Sequence, residues 1–404
     1  MANKSFVLID SYLNKKRILP FFKINLFSFL PQLFTIFLSL LLFKINKQES
    51  WGIFVKILLN LSLIQTLFNF GNKDFLIKQF SSNPRKINSI WLNSFFKRIP
   101  ILILTCVAYV FIYNDKTIAL IFVFIVISRY INQSFDPLII YERKFNISII
   151  SDLLLNFSLI VMFLNVKELN NFNLHIIYLS ASLLKSILLS AYFYNSLSYK
   201  SYSSANFYSS AFPFFIMSLS GFLVSKIDQV CSGFILDNKS LARYQILMAL
   251  LSFLQLTSAN LLLPYSKNIF RMNRKSISVL KLNFRKFGIV FSFFGIILVA
   301  LVLHLFYSIN LKIYDWLLSF LYVYSFFIYF VNSYEITILN KQNFATLITI
   351  LCGIINLIFA IFLSKNWGVS GVLLGATVSN NLLAFLMIVT TNKYQSIERN
   401  SRES

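Results

Sequence analysis

The chain has 404 residues, of which 57% are apolar and only 13% charged, with a formal net charge of +23. Apolar runs long enough to cross a bilayer recur from one end to the other, which excludes a soluble protein with a single anchor and leaves no polar segment large enough for a separate soluble domain. The positive charge does not point to nucleic acid, because the basic residues sit in short loops between the apolar runs, as cytoplasmic loops do.

In chain order, a segment carrying Lys4, Lys15, Lys16, Arg17 and Lys23 leads into the first span, about 24–43. That run is too long for a signal-peptide core and lacks a small-residue cleavage site, so it reads as a membrane helix. Pro31 predicts a kink inside it. The second span, about 52–70, places Lys56 and Asn60 one turn apart. The basic stretch 71–98 mixes Lys and Arg with aromatic and apolar residues, which predicts a segment lying along the membrane surface. The third span covers about 99–113, with a start nearer Ile90 as the alternative. The fourth, about 117–137, carries Arg129, Asn132, Gln133 and Asp136 at i, i+3, i+4 and i+7, a polar face. In the fifth, about 147–164, Asp152 and Asn156 lie one turn apart, and the sixth, about 174–195, holds Lys185 at mid-depth between Ser182 and Ser186.

The Ser- and Tyr-rich linker 196–211 predicts the join between two halves, 1–198 and 199–404. The seventh span, 212–235, is expected to run as one helix, with Ser218, Gly221, Ser225, Asp228, Gln229 and Ser232 on a narrow stripe and Lys226 at its edge. Such a face suits a cavity and not lipid. The remaining spans are about 244–264, ending at Pro264, then 287–307, 314–334, 344–364 and 370–390, with a strongly basic loop over 265–286. Gly371, Gly375 and Ser379 form a small-residue stripe that predicts close helix packing.

The expected architecture is an all-α polytopic membrane protein of 12 spans in two six-helix bundles. With the first residues on the cytoplasmic side, 25 Lys and Arg fall in inside segments, 8 in outside loops and 4 within spans, which makes both termini cytoplasmic. A shift of 190 residues lays Ser50 on Ser240, Gly52 on Ala242, Phe54 on Tyr244, Ser62 on Ser252 and Gln65 on Gln255. Repeats that start on the same side are related by a pseudo-twofold along the membrane normal.

Charge inside a span costs roughly 2.5–3.5 kcal/mol on insertion scales, so it marks candidate sites. Arg129, Lys185 and Lys226 are expected to face a cavity between the halves and attract an anion. The competing reading is structural pairing, Lys226 with Asp228 or Arg129 with Asp136. Lys56 is a further cavity candidate, although its place near a helix end also fits snorkelling. Asp228, Asp152 and Glu335 are candidates for coupling to a cation or proton, with ordinary solvation the better reading for Glu335 and Asp152, which lie near the inner face. His175 and His304 read as interfacial, and Cys106, Cys231 and Cys352 as inert apolar residues. No spacing predicts a metal or cofactor site.

Several motifs carry a resemblance. SWGIF after the first span, FNFGNKDF after the second, KIDQV followed by LARY, then LNKQNF and NWGVSGVLLGATVSN, in this order, resemble polysaccharide flippases of the MOP superfamily, and most closely the O-antigen, Wzx-type branch. The resemblance spans nearly the whole chain and implies a MATE/MOP-like fold. It further implies a non-enzymatic membrane transporter of the bacterial inner membrane. Its substrate would be an undecaprenyl-diphosphate-linked oligosaccharide moved between leaflets by alternating access, as in lipopolysaccharide assembly. Membrane lipid is then a partner, nucleic acid is not, and a complex with a polysaccharide polymerase stays open. Asp228 falls where the family often has an acid, but the next position, often basic in relatives, is Gln229 here. Two rivals stand beside this reading: a MATE-like cation-coupled drug antiporter, which favours an acidic cavity, and a polymerase or ligase, which needs catalytic residues on a sizeable outer loop. No outer loop exceeds about ten residues.

Overall fold

The computed structural model describes residues 30, 32–166, 168–197, 206–262, 269, 272, 274–339 and 341–403. The basic first residues including Lys23, the kink at Pro31, the core of the 196–211 linker, Pro264, Lys267 and Arg271 lie outside the described residues.

The outer surface is the reverse of a soluble protein's. Phe111 is 81% exposed and Leu305 69%, while Arg98, Asp228 and Glu335 are buried. Large apolar groups outside and polar groups inside suit a chain whose solvent is lipid, and helices are the spanning form that satisfies every backbone polar group internally. Among the described residues there is no strand, and nine helices are long and apolar enough to cross a membrane.

The helices are α1 (Gln32–Lys44), α2 (Gln48–Asn69), α3 (Asn72–Ser82), α4 (Ile87–Ile112), α5 (Lys116–Ser134), α6 (Asp136–Tyr141), α7 (Phe145–Asn165) and α8 (Asn171–Tyr192). After the linker come α9 (Phe207–Ser225), α10 (Ile227–Ile235), α11 (Asn238–Leu262), α12 (Arg274–Tyr307), α13 (Ile313–Ile338) and α14 (Gln342–Glu403). The third span starts at Ile87, so the earlier of the two expected starts holds. The last two expected spans follow one another in α14 and are divided at Gly368, whose φ of 55° is non-helical.

The seventh span differs from expectation. Its helix is interrupted at Lys226, with φ −137° and ψ −15°, so α9 and α10 are separate segments. The interruption divides the expected polar stripe. Asp228, Gln229 and Ser232 are buried, whereas Gly221 and Ser225 are exposed.

Local sequence sets several boundaries. Asp115 caps α5, accepting from the amides of Thr117 (3.0 Å) and Ile118 (3.1 Å), and Asn170 caps α8 through the amide of Asn173 at 2.9 Å. Between α2 and α3, Phe70 and Gly71 both adopt left-handed backbone. Gly71 is required there twice over: a side chain is strained at its φ of 66°, and a Cβ would sit 2.4 Å from the Phe214 carbonyl carbon. The stretch after Gly71 becomes α3, which buries Phe75, Leu76 and Phe80 against α6 and α9.

Loops alternate between two ends of the bundle. Lys47 Nζ donates to the Val166 carbonyl (3.4 Å) and Lys239 pairs with Glu49 (3.2 Å), which places the α1–α2, α7–α8 and α10–α11 turns together at what we call the Tyr113 end. The opposite, Asn83 end collects α3 and α6, where Tyr141 donates to the Phe80 carbonyl. The N-terminal and C-terminal halves meet along α2, which packs against α9, α10 and α11. At the Tyr113 end the approach is very close: a Cβ on Gly52 would lie 2.0 Å from the Asn238 carbonyl oxygen.

Candidate functional site

The polar residues at the end of α5 and the start of α6 are the starting point. Arg129, Asn132, Gln133 and Asp136 all line one cavity of about 310 Å³ inside the N-terminal half. Asp152 and Asn156 of α7, Tyr178 and Lys185 of α8, and Trp51 and Phe54 of α2 complete its polar and aromatic wall. The helix backbones fix this convergence. Ser186 of α8 hydrogen-bonds Ser128 of α5 at 2.7 Å and also donates to the Ser128 carbonyl at 3.1 Å, locking the two helices face to face.

Three of the four charges in this cavity have a defined partner. Arg129 donates from Nε to the Tyr178 hydroxyl at 2.7 Å, and its guanidinium lies 5.3 Å from that ring's centroid. Lys185 forms an ion pair with Asp152. The expected alternative pairing of Arg129 with Asp136 is not among the ion pairs of the described residues. Two cations and two carboxylates therefore share one small space. The charged groups sit one to two turns from the Asn83 end, on the order of 10 Å in. The cavity also keeps unspent hydrogen-bonding capacity: Trp51 Nε1 and Asn132 Oδ1 are buried without a partner.

Lys226, Asp228 and Lys56 stand elsewhere. Lys226, at the break between α9 and α10, donates to Gln229 Oε1 at 3.4 Å. Asp228 is 1% exposed and accepts a hydrogen bond from the Tyr244 hydroxyl. The expected Lys226–Asp228 ion pair is likewise absent among the described residues. Lys56 lines a different cavity, of about 490 Å³, at the Tyr113 end. The six candidate residues thus fall into three places: Arg129, Lys185 and Asp152 share one cavity, Lys56 lines another, and Lys226 and Asp228 lie at the break between α9 and α10.

The structure buries residues that the sequence placed at the membrane surface or at span ends. Arg98, counted with a basic loop, is fully buried in α4, where it donates to the Ser94 carbonyl (3.2 Å) and to Ser134 Oγ (2.9 Å) and lies 4.9 Å from the Tyr130 ring centroid. Glu335 is 4% exposed and ion-paired with Lys281, which corrects its reading as a solvated end residue. His175 is also no interface residue. It is 2% exposed, its Nδ1 bonds the Asn171 carbonyl at 2.7 Å, and Phe122 packs against it. The signal for Arg98 was available, since Ser94 and Arg98 repeat at i, i+4 in front of an apolar run.

Comparison with known proteins follows from this geometry. No family model matches the sequence, and no curated protein matches it. Solved structures do. The chain is similar to a lipid II flippase MurJ in an inward closed conformation, with a TM-score of 0.69 at 14% identity over 91% of this chain and 87% of that one. It is similar to an inward-facing multidrug resistance MATE family transporter of the MOP superfamily, with a TM-score of 0.59 at 10% identity over 93% and 96%. It is also similar to the MATE multidrug transporter DinF-BH, with a TM-score of 0.58 at 14% identity over 94% and 96%. A multi-pass helical bundle with exposed apolar flanks, matched over nine-tenths of its length, has the fold shared by a lipid II flippase and MATE transporters of the MOP superfamily.

Proposed function

We propose that this protein is a flippase for an undecaprenyl-diphosphate-linked oligosaccharide, an O-antigen-type repeat unit, carried from the cytoplasmic to the periplasmic leaflet of a bacterial inner membrane. In this reading residues 1–198 and 199–404 are two six-helix bundles that rock about α2 and α11, with both termini cytoplasmic. The observation that carries it is the intramembrane cavity holding Arg129 and Lys185. Charge at depth is costly and is found where it is paired or lines a substrate path; here Lys185 is paired, while Arg129 keeps donors beyond its bond to Tyr178. The likeness in fold to a lipid II flippase supports the same class of cargo.

The arrangement suggests how binding and coupling connect. Tyr178 holds the Arg129 guanidinium with donors to spare, and a guanidinium matches phosphate oxygens geometrically. An entering diphosphate competes with Asp152 for Lys185. Asp152, released from its ion pair, is the coupling candidate of this cavity. Asp228, buried against Tyr244 beside the break at Lys226, is the second coupling candidate, and Lys226 a second anion contact.

One observation favours another reading. Asp136 and Asp152 line the same cavity, and carboxylates there also suit a MATE-like cation-coupled antiporter. Cells lacking the protein separate the two. A flippase predicts complete lipid-linked repeats accumulating on the cytoplasmic leaflet and cleared by restoring the gene. An unchanged lipid pool with altered drug uptake would instead establish the antiporter.

A further inference from the structure

The cavity at the Tyr113 end has a composition the internal cavity lacks. It lies on the flank where α2 meets α10, walled by α4 and α8. Lys56, Asn60, Tyr109, Asn171, His175 and Asn238 supply its polar groups, and no carboxylate lines it. Lys56 forms no ion pair among the described residues. It sits eight residues inside α2, about 12 Å from that helix end, and Asn60 about 18 Å. Lys56 is half-buried, and no carboxylate on the wall neutralises its ammonium. Asn238 Oδ1 is buried without a partner. His175 Nδ1 faces a carbonyl, which can only accept, so Nδ1 carries the proton and Nε2 is left as an acceptor in the neutral ring. Tyr109 and Tyr113 stack with centroids 5.4 Å apart, and Phe234, 74% exposed, opens the flank to lipid.

A lone cation, amide and imidazole acceptors, and aromatic faces together fit a phosphate joined to a hydroxylated group. The apolar flank fits the chain that carries it. We propose that this cavity is a second headgroup site, which binds the phosphate or diphosphate of a membrane lipid at the Tyr113 end, separate from the site of Arg129 and Lys185. The proposal rests on the transport reading above, in which this end is periplasmic and the site receives a lipid-linked headgroup on its way out. The same chemistry fits the phosphate of a bilayer phospholipid.

The test is photolabelling of the purified full chain in detergent with a benzophenone-bearing farnesyl diphosphate. Label is expected on the peptides containing Tyr109–Tyr113 and Phe234–Asn238, at least 10-fold weaker in Lys56→Gln and unchanged in Lys56→Arg. Competition by unlabelled farnesyl diphosphate but not by phosphatidylglycerol assigns the site to the prenyl-linked substrate. Equal competition by phosphatidylglycerol assigns it to bilayer phospholipid, and either result supports the site. Label confined to the peptides of Arg129–Asp136 and Asp152–Asn156, or unaffected by Lys56→Gln, overturns it and leaves the flippase reading standing. Absence of label from both cavities overturns both. Where Lys56→Gln does not fold, Phe234→Trp provides the second reading. Its emission should change saturably with farnesyl diphosphate, and a flat titration overturns the proposal.

Discussion

Two cavities in the same membrane protein handle charge in opposite ways. Inside the N-terminal half, Lys185 is matched by Asp152 and Arg129 is held by Tyr178, so the ionised groups compensate one another until something competes for them. At the Tyr113 end, Lys56 stands in a cavity without a carboxylate. The first arrangement suits an exchange of partners, as coupled transport requires. The second suits simple occupancy by an anion from outside the protein. The difference teaches that intramembrane charge has to be read with its surroundings: the same Lys, at similar distances from a helix end, is an exchangeable ion pair in one place and an open anion site in the other.

The contrast can be broken by substitution, beginning with the largest effect. Lys185→Met strands the Asp152 carboxylate and is expected to cost about 3 kcal/mol in unfolding of the purified protein, while Lys185→Met combined with Asp152→Leu regains most of it. Equal losses in the single and double variants would mean that the pair carries no mutual stabilisation. Gly52→Val forces a side chain into the Asn238 carbonyl and should cost about 1–3 kcal/mol, with the Tyr113 end of the α2–α11 contact opened. Thiol labelling of a cysteine introduced at Ser50 would report that opening as faster modification. Lys56→Met, by contrast, removes a charge with no partner to strand, and its stability in lipid-free detergent should stay within about 0.5 kcal/mol of wild type or rise. A loss as large as that of Lys185→Met would erase the distinction between the cavities. The exposed Glu49–Lys239 bridge gives the smallest effect: Glu49→Gln should cost less than about 1 kcal/mol, and less again in high salt.

Part of the polar face was legible in the sequence: helical spacing brings Arg129, Asn132 and Gln133 together on α5, and Asp136, which the same spacing assigned to that helix, opens α6 and lines the same cavity. Asp152, Asn156 and Lys185 were legible for the same reason, but their meeting was not. The Lys185–Asp152 pair joins residues 33 apart on neighbouring helices, and which faces those helices turn to one another is a matter of tertiary packing. The break at Lys226 was hidden because neither Gly nor Pro marks it; the backbone departs from helix at a residue that by itself propagates one. Arg98 and Glu335 were misplaced by position. Arg98 fell just outside the expected span but lies in the middle of α4, and Glu335 lies near the end of α13; each is enclosed by neighbours distant in sequence, Ser134 and Lys281.

The central claim is that the cavity of Arg129 and Lys185 carries a lipid-linked anion across the membrane. Translocation in vesicles tests it most directly. The full chain is reconstituted with lipid-linked oligosaccharide extracted from cells lacking the protein, and the fraction reached by a membrane-impermeant oxidant of sugar diols is followed over time. Wild type should render nearly all of the lipid accessible, empty vesicles only the outer half, and Arg129→Gln should slow the crossing at least 10-fold while remaining folded. Accessibility that stays at the level of empty vesicles, or an Arg129→Gln rate equal to wild type, would contradict the account.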